Sequence, residues 1–373
     1  MRIALRRWLA CSLLVGAALL LLSFDAAAGP PASTSAGSML APSNPVFNIK
    51  DKGLKPLWTA ELGRVSEPRL KAIYPVADKL VAETPTGEVH VLNAEDGTWQ
   101  NMEMFRRGLE FSPVALGDQM LVVSASRLYT FDPAAEDVGE GYHLEFAPFC
   151  PPLLKGDDLI LAGGNGHLAR LTRPGHEQVW QRSIRGPIWY QPAMLDGNLY
   201  AAASEIICLE PEDGTELWRW EPRRPAKLSS GIALHEGRVY AGDNLGTLYA
   251  LGADYGDLKW QQSFGAPIAG KPEVVGDKLL VFTNEPNVHC VSMTGEREVL
   301  WSYDGATELI LAGADRLYLR TEDGGVAVLV TDRGEELWKD RLPSDYLVAG
   351  DSNRPVFYVA SPEGTLAAFQ ELD

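Results

Sequence analysis

Three short windows concentrate the side chains best suited to grip an anion. "FRRGLEFS" (105–112) carries Arg106 and Arg107, "IRGPIWYQ" (184–191) carries Arg185, Trp189 and Tyr190, and "EPRRPAKLS" (221–229) carries Arg223, Arg224 and Lys227. Together they hold six bases and two acids in a chain whose formal charge is −17. Guanidinium groups pair with carboxylates through two parallel hydrogen bonds. Arginine and the large aromatics also dominate binding energy at protein interfaces. The chemistry expected here is a basic, aromatic-edged patch that receives an acidic protein segment or an anionic glycan.

Catalytic signals are thin by comparison. The six histidines are scattered, with no H-x-x-x-H and no E-x-x-H on a helix, so a zinc hydrolase is not expected. There is no G-x-S-x-G nucleophile elbow. "GGNGH" (163–167) is glycine-rich but reads as a turn between strands, not as a phosphate loop opening a helix. Cys150, Cys208 and Cys290 lie far apart and match neither a disulfide framework nor a metal site. "TEDGG" and "GDN" offer carboxylates without the spacing of a calcium loop. No metal and no cofactor is expected.

The amino terminus reads as an address. Arg2, Arg6 and Arg7 precede the apolar run "WLACSLLVGAALLLLSF" (8–24), and Ala26–Ala28 supply an Ala-x-Ala cleavage site. Residues 1–28 are therefore expected to be a secretory signal, with retention as an uncleaved anchor the alternative. Residues 29–46 are small and proline-rich, as a flexible tether is. Loss of Arg2, Arg6, Arg7 and Asp25 takes the net charge from −17 to −19. So acidic a chain argues against nucleic acid or an anionic membrane surface as the main partner. The expected partner is a protein of the cell envelope, bound by a monomer in the periplasm or at the outer membrane.

What must position the basic windows is a repeat. Strand-like pairs open at Leu80, Met120, Leu159, Leu199, Val239, Leu279, Leu317 and Phe357, at steps of 40, 39, 40, 40, 40, 38 and 40 residues. Glycine/acid pairs such as Gly156-Asp157 and Asp196-Gly197 precede most of them and supply the positive φ of tight hairpins. Each unit reads as four short strands, A to D. Tandem units of this kind predict an all-β, eight-bladed β-propeller over residues 47–373. The last unit has no D strand of its own, and "LKPLWTAEL" (54–62) with Trp58 is expected to complete it and close the ring. The basic windows then fall in D–A loops, on the face shared with the B–C loops, where binding residues concentrate.

"CLEPEDGTELW" (208–218), "GRVYAGDNLGTLYAL" (237–251) and "YALGADYGDLKW" (249–260) resemble the repeat of the pyrroloquinoline-quinone-like propellers. That resemblance implies that Trp58, Trp99, Trp180, Trp218, Trp260, Trp301 and Trp338 dock between neighbouring blades. Gly214 to Trp218, Gly256 to Trp260 and Gly334 to Trp338 keep one spacing, whereas Gly97 to Trp99 is shorter and Gly175 to Trp180 longer. Quinoprotein dehydrogenases of this group hold quinone and calcium beside adjacent cysteines, which this sequence lacks. The chain is also similar to the secreted scaffolds around the outer-membrane protein assembly factor BamB. That similarity implies a non-enzymatic binding scaffold. The alternative is a ligand-binding or carbohydrate-active propeller with its site at the channel mouth.

Overall fold

In the computed structural model the described residues are 52–63, 69–135, 138–294, 298–343, 345–351 and 353–372. The signal and tether readings, residues 1–46, fall outside them. Every regular element is a β-strand, arranged as eight four-stranded antiparallel sheets. Blades 1 to 7 begin at Ala72, Val114, Leu153, Ala193, Leu228, Ile268 and Ala306, and blade 8 at Leu347. Blade 5 shows the pattern, with strands A to D at Leu228–His235, Arg238–Asp243, Thr247–Gly252 and Leu258–Ser263.

Blade 8 takes its outer strand from the other end of the chain. Leu54–Glu61 pairs antiparallel with Thr365–Glu371, setting Leu54 opposite Glu371 and Trp58 opposite Ala368. This closes the eight-bladed ring as the repeat predicts and gives blade 8 its fourth, outer strand.

The core is distributed between blades. Strand B of blade 1 is buried along its whole length, Lys79–Glu83, because both faces of its sheet pack on neighbours. One hydrophobic cluster lies at each seam, for example Ile160, Leu168, Trp180, Leu199 and Leu209 between blades 3 and 4.

A recurrent contact ties the seams. Trp218, on strand D of blade 4, donates its Nε1–H to the Ala253 carbonyl of blade 5 at 2.7 Å. Its ring lies against Gly256 in the next C–D turn, where an added Cβ would fall 2.5 Å from Cε3. Gly256 also has φ +68°, so glycine is needed twice over. Trp180 repeats this on Pro211 and Gly214, Trp301 on Thr331 and Gly334, and Trp58 on Ala94 and Gly97. Trp338 donates to the carbonyl of Lys52 at 3.1 Å. Trp260 is buried in the cluster between blades 5 and 6. The Gly-x-x-x-Trp spacing is thus a relay in which the glycine seats the preceding blade's indole and the tryptophan reaches the next blade.

Two expectations are corrected by register. Trp99 is not a docking residue: it is 56% exposed and pairs with Leu92, past the bulge in strand C. Asn101, opposite Val91, holds the place that Trp218 holds opposite Cys208. Its amide donates to the carbonyls of Pro133 and Ala135 in blade 2 at 2.9 and 3.3 Å. In blade 3 the left-handed turn residue is His176 (φ 53°), not Gly175. His176 N–H bonds Thr172 O at 2.8 Å, as Gly214 N–H bonds Glu210 O at 2.9 Å. Counted from Gly97 and His176, the four-residue spacing is kept in both blades.

Candidate binding cleft on the loop face

The loop between blades 3 and 4, the B–C turn of blade 4 and the loop between blades 4 and 5 enclose a cleft of 570 Å³. Arg185, Arg224 and Lys227 line it, with Ser204 and Glu221. Three of the residues singled out in the sequence therefore meet at one place, although 42 residues of chain separate Arg185 from Lys227.

A buried acid organises this cleft. Glu205 is 4% exposed, and its Oε1 accepts the Arg185 backbone N–H at 2.9 Å and Arg219 Nη1 at 2.8 Å. Arg219 also forks onto Glu216 at 2.6 and 2.9 Å. The hydrogen bonding to Glu216, with the charge of Glu205 adding to it, holds the Arg219 pKa above its ordinary value, and the hydrogen bonding to Arg219 holds Glu216 below its own. Gly186 lets the chain pass at φ +94°, with Ser204 Oγ 2.6 Å from where a Cβ would stand. Arg185 then reaches across the cleft to pair with Glu221. On the far wall, the Lys227 backbone exchanges hydrogen bonds with Asn244, at 2.8 Å to its side chain and 2.9 Å from its N–H. The rigid backbone leaves the exposed Arg224 and Lys227 heads at the mouth. Such a site can take a carboxylate from a partner, in competition with Glu221 for Arg185.

The remaining patch residues separate. Arg106 and Arg107 are exposed in the loop between blades 1 and 2, which Glu83 anchors through Leu109 N–H at 2.8 Å. Arg223 is exposed on the same loop as Arg224. Trp189 stacks on Phe149 with ring centres 4.5 Å apart yet stays 50% exposed. Tyr190 is half-buried against Gly231 of blade 5, and burial pushes its pKa up. The single patch expected from sequence therefore divides into a basic cleft, two aromatic residues packed outside its lining, and a separate pair of arginines.

Glu205 was not singled out in the sequence, though a signal for it exists. The turns "TPTGEV", "DNLGTL", "TEDGGV" and "SPEGTL" all carry glycine, whereas the Leu199 unit has the shortened "ASEII". The Met120 unit, with "SASRL", is shortened and glycine-free too, so the signal narrows the candidates without selecting Glu205. Elsewhere, burial pushes the thiols of Cys150, Cys208 and Cys290 up to about 12, 11 and 12. They are free and inert in that state. Among the described residues no three His, Cys, Asp or Glu side chains are grouped to hold a metal ion. With no adjacent cysteines either, the donor set of a quinone and calcium site does not fit these residues.

Fold and repeat together define an eight-bladed β-propeller whose repeats resemble those of the pyrroloquinoline-quinone-like propellers. Within that class the chain is similar to the outer membrane protein assembly factor BamB, whose family model matches residues 202–349. The BamB of Shewanella oneidensis is 27% identical over 173 residues, covering 40% of this chain and 43% of that protein. The chain thus spans under half the length of that curated relative. The solved structure of BamB from Moraxella catarrhalis superposes with a TM-score of 0.66 over 85% of this chain and 97% of that one, at 18% identity. A 1-butanol dehydrogenase (cytochrome c) from Thauera butanivorans is 28% identical over 137 residues, covering 31% of this chain and 20% of the dehydrogenase.

Proposed function

We propose that this protein is a non-catalytic binding scaffold of the bacterial envelope, secreted to the periplasm and associated with outer-membrane protein assembly. The observation that carries the reading is the convergence of Arg185, Arg224 and Lys227 on one cleft, in a chain with far more acids than bases. The similarity to BamB supports the assembly setting. An acidic segment of an envelope protein enters the cleft, its carboxylates displacing Glu221 from Arg185 and meeting Arg224 and Lys227. The propeller works as a monomer and supplies a rigid frame for these loops.

Reversal of all three charges, Arg185→Glu with Arg224→Glu and Lys227→Glu, tests this. The triple variant should keep its β-sheet circular dichroism and lose co-purifying outer-membrane assembly proteins from envelope extracts. Recovery of the same proteins by the folded variant would overturn the reading. Arg106→Glu with Arg107→Glu should retain most of the binding.

A further inference from the structure

The seam between blades 2 and 3 is built differently from its neighbours. Strand D of blade 2 is only Tyr142–His143, whereas those of blades 3, 5 and 6 span Gln178–Ser183, Leu258–Ser263 and Val299–Asp304. Tyr142 pairs with Leu128, the register place that Arg182, two residues beyond Trp180, holds opposite Leu168. No residue of the short strand stands where the docking tryptophan would. Tyr142 instead stacks on His176 with ring centres 4.5 Å apart.

A pocket of 300 Å³ is left beside that stack. Leu161 and Leu171 form part of its wall, with Leu144 and Phe146 from the loop that leaves blade 2. By strand register Leu161 and Leu171 correspond to Ala201 and Leu209 in blade 4. Those two share a buried cluster with the indole of Trp180. The pocket therefore opens on the surface that an indole covers in the next seam. Apolar cavities of roughly 150 Å³ take up a benzene ring, so the larger volume has room for two fused rings. The carboxylates of Glu145 and Glu177 lie in the same lining and favour a donor or a positive charge on the ring.

We infer that this seam is a binding site for a small bicyclic aromatic compound of the indole class, bearing an N–H or an ammonium group, which takes the seat that tryptophan fills elsewhere. The ring packs on Leu144, Phe146, Leu161 and Leu171, and the nitrogen faces the two carboxylates.

Isothermal titration of the protein with indole and with tryptamine is the test. Both should saturate at one site, tryptamine the more tightly. Phe146→Trp, which fills the pocket from its own wall, should weaken both by about tenfold or more. Glu177→Gln should weaken tryptamine and leave indole unchanged. A diazirine-bearing indole on the unmodified protein should label peptides containing residues 142–146 and 171–178, whether or not the filled variant folds. Absence of saturable binding, unaltered binding by folded Phe146→Trp, or labelling confined to other blades would each overturn the inference.

Discussion

The seam between blades 4 and 5 and the seam between blades 2 and 3 solve one packing problem in two ways. In the first, Trp218 supplies a ring that covers Gly256 and an N–H that reaches Ala253 O. In the second, the glycine position holds His176, and Tyr142 stacks on its imidazole in place of a docked indole. The seam between blades 1 and 2 isolates the other half of the device: Asn101 keeps the hydrogen bonds to the next blade and brings no ring. Ring and hydrogen bond are thus separable functions. A propeller tolerates losing one at a given seam because seven other seams constrain the same closed ring.

The sharpest way to break this comparison is to remove both functions together. Trp218→Ala should destabilise the protein by about 3–5 kcal/mol, the usual cost of emptying a buried aromatic site, measured by chemical denaturation. Trp99→Ala, at the exposed tryptophan, should change stability by less than about 0.5 kcal/mol in the same experiment. Equal losses would show that exposure does not distinguish the two tryptophans.

Next in size is the turn. Gly256→Ala adds a left-handed backbone penalty and a clash with Trp218, together about 2–4 kcal/mol. His176→Gly removes backbone strain and loses a ring stack, two effects that offset to within about 1 kcal/mol. Similar destabilisation by both, read from denaturation midpoints, would make the turn glycine generic instead of a seat for the ring.

Smallest is the hydrogen bond alone. Asn101→Ala should cost about 1 kcal/mol, since only the amide contacts to Pro133 and Ala135 are lost. A loss as large as that of Trp218→Ala would mean that the hydrogen bond, not the ring, holds the seams.

The array was legible because its signal is additive. Eight units with a forty-residue step disclose their period even where single positions drift, and the orphan strand at Trp58 completes the count. Individual docking positions were less legible. Trp99 attracts attention as a residue type, but the bulge in strand C sets the register, and register selects Asn101. The spacing from Gly97 to Asn101 carried that answer in the sequence. The basic loops were visible as composition, whereas the grouping of Arg185 with Arg224 and Lys227, apart from Arg106 and Arg107, depends on which loops lie over which blades.

By itself the sequence determined the β architecture, the number of blades and the ring closure, because strand periodicity and turn glycines act locally and repeat. Only the tertiary structure decided which aromatic side chains are wedges, which arginines share a cleft, and that Glu205 is buried against Arg185 and Arg219. These depend on contacts between blades, where register, burial and the room beside a Cβ select the partner regardless of residue type.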